Sequence, residues 1–281
     1  MSAVEAFSLE RPGGGRLHGL VDLPQTPGPR PAVVICHGFK GFMEWGFFPA
    51  LAALLAVRGF VAVRFNLAGA GMEPGDELVT DPVAFRDNTY SAELADLLRV
   101  LDATGGEIAQ GRIDRGRVGV LGHSRGGGAA VLAAASAAWR DRIRALVTWA
   151  AISHVDRYTA EERRVWRQTG ELPVVNSRTG QQLALGRALL EDVERNAAGS
   201  LDILAAAARR TAPWLIVHGG DDESVPAAEA AELDARAGGT HELLLIPGAG
   251  HTFGVSHPFA GPTPFLIQAL NATQAWFRRH P

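Results

Sequence analysis

The stretch Arg117–Ala130, RVGVLGHSRGGGAA, limits what this chain can fold into more than any other. Val118, Val120 and Leu121 make a short apolar run of the kind a buried parallel strand needs. Gly122-His123-Ser124-Arg125-Gly126 follows directly, and an Ala-rich helical segment begins behind it. Strand, G-x-S-x-G and helix in that order turn a common pentapeptide into a nucleophile elbow. The turn strains the Ser backbone, so small residues must flank it, and it holds Ser124 Oγ out at the carboxyl edge of the sheet. The competing reading is a Gly-rich strand-to-helix turn without chemistry, in a chain of 281 residues with 33 Gly. The remaining segments bear on that choice.

Residues 4–9 and 16–23 read as two strands of a hairpin at one sheet edge, joined by a Gly-rich turn. The continuous apolar run Ala32–Cys36 is a central strand, and Val61–Phe65, Ile143–Ala150, Trp214–His218 and Glu242–Ile246 are further strands. Between them, helical spacing appears around Pro49–Arg58, from Asp81-Pro82 to about Asp102, at Ala227–Ala237, and in a last helix to about Arg279. With the elbow strand this makes eight strands alternating with helices. The pattern predicts an α/β class: a mostly parallel eight-stranded sheet with helices on both faces.

One interval breaks the rhythm. Ser153–Thr211 separates two core strands by nearly sixty residues, far more than a plain crossover needs. It opens with a capping box, Thr159-Ala160-Glu161-Glu162, whose helix stops near Gly170. Asn176–Gly180 reads as a turn, Leu185, Leu189, Leu190 and Val193 as a second amphipathic helix, and Ser200 as the cap of a third. The organisation is therefore a core of residues 1–152 and 212–281 with a helical cap inserted at 153–211. The aromatics Trp149, Trp45 and Trp166 and the cap's Tyr158, Leu185, Leu189 and Val193 are the candidates for a substrate-binding wall.

Serine attacks well only when a base takes its proton, and the base needs an orienting carboxylate. His251 lies in the flexible loop Gly248-Ala249-Gly250-His251-Thr252 after the last strand. Asp222 follows the preceding strand, with Asp221 and Glu223 as alternatives beside it. A developing oxyanion also needs N–H donors. The backbone of Arg125 offers one and that of Phe39, in the turn after Cys36, the other. His37, His123 and His218 read as structural, and the remaining histidines lack metal-ligand spacing, so no metal is expected.

Four segments, HGFKGF at 37–42, GHSRGG at 122–127, HGGDDESVP at 218–226 and GAGHTFG at 248–254, carry a resemblance. The chain resembles α/β-hydrolase-fold serine hydrolases of the dienelactone-hydrolase-like and cinnamoyl/feruloyl-esterase-like branch. The order Ser, Asp, His is theirs, and the family pattern H-G-x-x-D-x-x-V-P places the acid at Asp222. Dienelactone hydrolases proper use Cys where this chain has Ser124. The resemblance thus implies a cofactor-free carboxylic-ester hydrolase acting on small to medium acyl or aromatic esters. A peptidase, thioesterase or acyltransferase on the same triad, or a non-catalytic ligand-binding homologue, stays open.

Charge narrows the partners. Lys and Arg number 27 against 30 Asp and Glu, a net −3, so neither nucleic acid nor an anionic membrane is called for. A small-molecule ester is the expected partner, with a homodimer left open. Cys36 is the single cysteine, and residues 1–20 lack the apolar core of a signal peptide, which together suggest a cytoplasmic protein.

Overall fold

A computed structural model of the protein describes residues 3–12 and 14–281. The chain opens with β1 (Ala3–Glu10) and β2 (Arg16–Leu23), paired antiparallel, followed by β3 (Arg30–Cys36). Gly13, in the Gly-rich turn of that hairpin, lies outside the described residues. Helix α1 (Phe48–Val57) carries Pro49 in its first turn, where a missing N–H costs nothing. Gly59 then takes φ 89° as the chain turns into β4 (Val61–Phe65).

The single helix expected from residue 82 to 102 is in fact two, α2 (Pro82–Arg86) and α3 (Tyr90–Ala103). Asp81 caps the first by accepting from Val83 N–H and Ala84 N–H. Thr89 has extended backbone and caps the second by accepting from Ala92 N–H at 3.0 Å, so the helix restarts there.

Strand β5 (Ile113–His123) begins earlier than its apolar run and leads into α4 (Arg125–Ala135) and β6 (Ile143–Trp149). Then comes the long interval 153–211. Its helix α5 (Ala160–Thr169) has the expected capping box and ends at Gly170, φ 86°. Next is a hairpin of β7 (Glu171–Val175) and β8 (Gln182–Gly186), where no strands were expected; the turn at 176–180 joins them. Leu185 belongs to β8, not to the helix α6 (Arg187–Asn196) that holds Leu189, Leu190 and Val193. Asp202 caps α7 (Ile203–Arg209), in place of Ser200, by accepting from Ala205 N–H at 2.8 Å. The chain closes with β9 (Trp214–Gly219), α8 (Ala227–Arg236), β10 (His241–Ile246) and α9 (Pro264–Arg279).

Eight strands form one sheet in the order β1-β2-β4-β3-β5-β6-β9-β10. All pairs from β4 to β10 are parallel, and β2 at one edge is antiparallel to both its neighbours, β1 and β4. The central strands are apolar on both faces because helices cover both: one buried cluster includes Val34, Val120 and Trp214, the other Val33, Leu121 and Trp149. This is the α/β-hydrolase fold. Its topology brings the carboxyl ends of β3, β5, β6, β9 and β10 to one edge, where the loops carrying residue 39, Ser124, Asp222 and His251 all emerge.

Candidate active site

Strand β5 ends at His123 and α4 starts at Arg125, so Ser124 alone makes the turn. Its backbone sits at φ 56°, ψ −121°, a strained conformation held by close packing on every side. A Cβ on Gly122 would strike the Gly126 backbone, and one on Gly126 would strike the carbonyls of Cys36 and His37. Ser124 N–H donates to the Trp149 carbonyl at 2.8 Å, and the Ser124 carbonyl accepts from Gly127 N–H at 2.9 Å. With the main chain tied down, the hydroxyl is the free functional group.

Ser124 Oγ lies 3.0 Å from His251 Nε2, and His251 Nδ1 lies 2.8 Å from Asp222 Oδ2. The other carboxylate oxygen of Asp222 accepts from Ser224 N–H and Val225 N–H, each at 2.9 Å. The carboxylate is wholly inaccessible to solvent. Burial alone would raise its pKa, but the hydrogen bond and charge of His251 and the two backbone N–H groups outweigh burial and hold it below the ordinary carboxylate range. An ionised Oδ2 can only accept, so Nδ1 of His251 carries a proton and Nε2 of the neutral ring faces the serine hydroxyl as acceptor. Asp221 and Glu223 are exposed, and the carboxylate brought to His251 is that of Asp222.

The other strand-end histidines are buried and shape the site without joining this chain of bonds. His37 Nε2 accepts from Leu67 N–H at 3.1 Å, which puts its proton on Nδ1, donating to the Gly38 carbonyl at 2.9 Å. Gly41 N–H donates to the same carbonyl at 3.0 Å. Carbonyl and N–H point in opposite directions across a trans peptide, so fixing Gly38 C=O also fixes the direction of Phe39 N–H. Burial lowers the pKa of His37 to about 4. His123 donates from Nε2 to the His251 carbonyl at 3.1 Å; burial first, and then the neighbouring His251, lower its pKa to about 3. His218 donates from Nε2 to the Val225 carbonyl at 2.8 Å, bracing the turn that carries Asp222.

Two buried polar clusters were not anticipated. Arg64 pairs with Asp22 at 3.0 Å and donates to the Met43 carbonyl at 3.3 Å, while Asn66 Oδ1 accepts from Met43 N–H at 2.8 Å. Together they anchor the loop that follows β3. The signal was present: Arg64 interrupts the otherwise apolar β4 and Asp22 the apolar end of β2, and a charge there needs a partner. Beneath the elbow, the buried Arg125 guanidinium pairs with Glu93 at 2.6 Å and stacks 3.7 Å from the Tyr90 ring centre. As the first residue of α4, Arg125 also has a main-chain N–H without an intrahelical acceptor.

Two cavities meet at Ser124, and Phe39, Lys40, Ser124 and His251 line both. One, of about 420 Å³, runs along Trp45 and Phe48 to the β7–β8 turn. The other, of about 440 Å³, lies under the insert against Tyr158, Leu172, Val174 and Leu185. The expected wall residues Trp149, Trp166 and Leu189 line neither and are corrected to core residues. Trp149 is buried among Phe47 and Phe253, donating to Thr273 Oγ1 at 2.9 Å. Trp166 is sealed edge-on behind Tyr158, and Leu189 faces inward from α6. Among the described residues no cluster of three or more His, Cys, Asp or Glu is placed to hold a metal ion, and no helix is long and apolar enough to cross a membrane.

Known proteins share this arrangement at the level of fold. The chain is 25% identical over 206 residues to 2,6-dihydropseudooxynicotine hydrolase of Paenarthrobacter nicotinovorans; the match covers 72% of this chain and 47% of that protein, so the chain spans about half its length. The solved structure of Est1E from Butyrivibrio proteoclasticus superposes with a TM-score of 0.69 at 22% identity, covering 98% of each chain. The structure of Est1E with ferulic acid bound gives 0.68 at 24% identity over 94% of this chain and 95% of that one. Residues 33–261 match the alpha/beta hydrolase family, and the chain belongs to it.

Proposed function

We propose that the protein is a serine carboxylic-ester hydrolase with Ser124 as nucleophile, His251 as general base and Asp222 as the group that orients it. The observation that carries this reading is the unbroken hydrogen-bond path from Ser124 Oγ through His251 to the buried Asp222. In the first half-reaction Ser124 Oγ attacks the ester carbonyl carbon while His251 Nε2 takes its proton. The negative charge gathering on the carbonyl oxygen is met by the main-chain N–H groups of Arg125 and Phe39; a donor of this kind is worth about 3–4 kcal/mol in the transition state. His251 then protonates the departing alcohol, leaving an acyl-enzyme. Water, deprotonated by the same imidazole, releases the acid in the second half-reaction.

The inserted segment 153–211 serves in this reading as a cap, because the β7–β8 hairpin and Tyr158 wall the cavity beside Ser124. A cleft of a few hundred cubic ångströms with aromatic and aliphatic walls suits small to medium acyl or aromatic esters. The likeness to Est1E, whose ferulic acid complex is known, points the same way and supports the cinnamoyl/feruloyl-esterase-like branch.

The test is hydrolysis of p-nitrophenyl butyrate and methyl ferulate by wild type, Ser124→Ala and His251→Ala. We expect each variant to lose about 10⁶-fold in kcat, with the double variant little worse because the pair acts as a unit. Full activity in Ser124→Ala would overturn the proposal.

A further inference from the structure

The cavity that runs from Ser124 along Trp45 and Phe48 has an uneven electrical lining. Lys40 and Arg178 are in its wall and no Asp or Glu is, in a chain whose net charge is −3. Lys40 is the chain's single lysine. It sits one residue beyond Phe39 with its backbone at φ 58°, and its ammonium group donates to the Val175 carbonyl at 2.7 Å. Its half-buried position lowers its pKa. Neither it nor Arg178 forms an ion pair with a carboxylate among the described residues; the nearest acid to influence Arg178, Glu77, lines the neighbouring groove instead.

The same wall holds donors that lack acceptors. Arg178 Nη2, Asn176 Nδ2 and His257 Nε2 are buried nitrogens without a hydrogen-bond partner. Their identities as donors follow from their other bonds. Asn176 Oδ1 accepts from Arg178 N–H at 3.2 Å, which leaves Nδ2 on the far side of that amide. His257 Nδ1 accepts from Gly46 N–H at 3.1 Å, which puts the ring proton on Nε2, and the closest carboxylate oxygen, on Glu77, is 3.6 Å away. Asn176 is 3% exposed and the His257 side chain 10%. A buried donor left unmatched is costly, and an acceptor that reaches it relieves the cost. Two cationic side chains and two further side chains with an unmatched N–H therefore line one cavity beside the serine, in whose wall there is no Asp or Glu; Glu77, 3.6 Å from His257 Nε2, lines the neighbouring groove.

We propose that this cavity binds an ionised carboxylate belonging to the substrate, so that the enzyme acts on esters carrying a second, free acid group. Lys40 and Arg178 supply the charge, Asn176 and His257 polar side chains in the same wall, and Trp45 and Phe48 cover the carbons between carboxylate and ester. The β7–β8 turn, Asn176 to Arg178, is thereby a specificity element contributed by the insert. This inference rests on the ester-hydrolase reading above and narrows its substrate class.

The experiment compares matched esters that differ only in charge: 4-acetoxybenzoate with its methyl ester, placing the carboxylate on the alcohol side, and monoethyl adipate with diethyl adipate, placing it on the acyl side. For each, kcat/KM is measured with wild type, Lys40→Met and Arg178→Met. In one of the two pairs the wild-type ratio of anionic to neutral ester should fall about tenfold or more in each variant, as for loss of a hydrogen bond to a charged group. In parallel, adipate and 4-hydroxybenzoate are tested for raising the Tm of Ser124→Ala, and at least one should do so unless Lys40 or Arg178 is also replaced. Ratios unmoved in both pairs, together with no carboxylate-induced rise in Tm, would overturn the inference. Neutral esters cleaved by wild type and spared by Ser124→Ala would show in that event that the ester-hydrolase reading itself still holds.

Discussion

The imidazole of His37 donates through Nδ1 to the carbonyl oxygen of the very next residue, Gly38, at 2.9 Å. That bond turns the peptide whose N–H belongs to Phe39, so a buried neutral histidine sets one of the two donors proposed for the oxyanion. The same ring accepts from Leu67 N–H at Nε2, which a doubly protonated imidazole could not do, so the two contacts together require the neutral ring.

This arrangement makes stability depend on pH. The pKa of His37 falls from 6.5 to about 4 on folding, so between those values the unfolded chain binds a proton that the native fold excludes. Stability is then complete above about pH 6.5 and declines as pH drops towards 4. His123, lowered to about 3, acts with the same sign. Urea unfolding should therefore give a smaller free energy at pH 4.5 than at pH 7, with His37 contributing about 2–3 kcal/mol of the difference. In His37→Asn, whose amide can still donate to Gly38, the pH difference should shrink by that amount. An unchanged pH slope in this variant would show that His37 is not the titrating group.

The carboxylate assignment separates cleanly by mutation. Asp222→Asn keeps the two N–H contacts from Ser224 and Val225 available but no longer fixes the proton on His251 Nδ1, so kcat should fall by about 10⁴. Asp221→Asn, on an exposed neighbour, should change kcat by less than about threefold, within the small effects of ordinary surface substitutions. Steady-state kinetics on p-nitrophenyl butyrate decides between them, and a severe Asp221→Asn would reassign the acid.

The walls of the cavities predict a division between selectivity and stability. Leu185 and Tyr158 line the space under the insert, whereas Trp166 lies behind Tyr158 and is fully buried. Leu185→Ala should alter the kcat/KM ratio between p-nitrophenyl butyrate and methyl ferulate by a free energy of about 1–3 kcal/mol. Trp166→Ala should leave that ratio nearly alone and cost about 3–5 kcal/mol in unfolding free energy. The opposite pattern would mean that the substrate reaches past Tyr158.

The sequence displayed the parts of the site that local motifs carry. Ser124 directly follows its strand, and Asp222 and His251 lie in the Gly-bearing loops after theirs, so strand order alone brings them to one edge. Side-chain direction was harder to read. Trp149 ends a central strand that is apolar on both faces, and no alternation marks which face it occupies. Leu185 fits an i, i+4 series with Leu189, yet the period-two pattern of Leu183 and Leu185 belongs to the β7–β8 hairpin, and Gly186 separates it from the helix. The unmatched nitrogens of the 176–178 turn were invisible for a different reason: the segment's composition says turn, and only the fold brings it into the wall of the cavity at Ser124.

The most direct measurement on the central claim is covalent trapping. Diethyl p-nitrophenyl phosphate is attacked by an activated serine, releases p-nitrophenol and leaves a stable phosphoryl ester. Intact-mass and peptide analysis of wild type should find one adduct, on the peptide containing Ser124, with esterase activity lost in step with its formation. His251→Ala should label far more slowly and Ser124→Ala not at all. An adduct on a different residue that abolishes activity, or full esterase activity in a protein stoichiometrically modified at Ser124, would contradict the account.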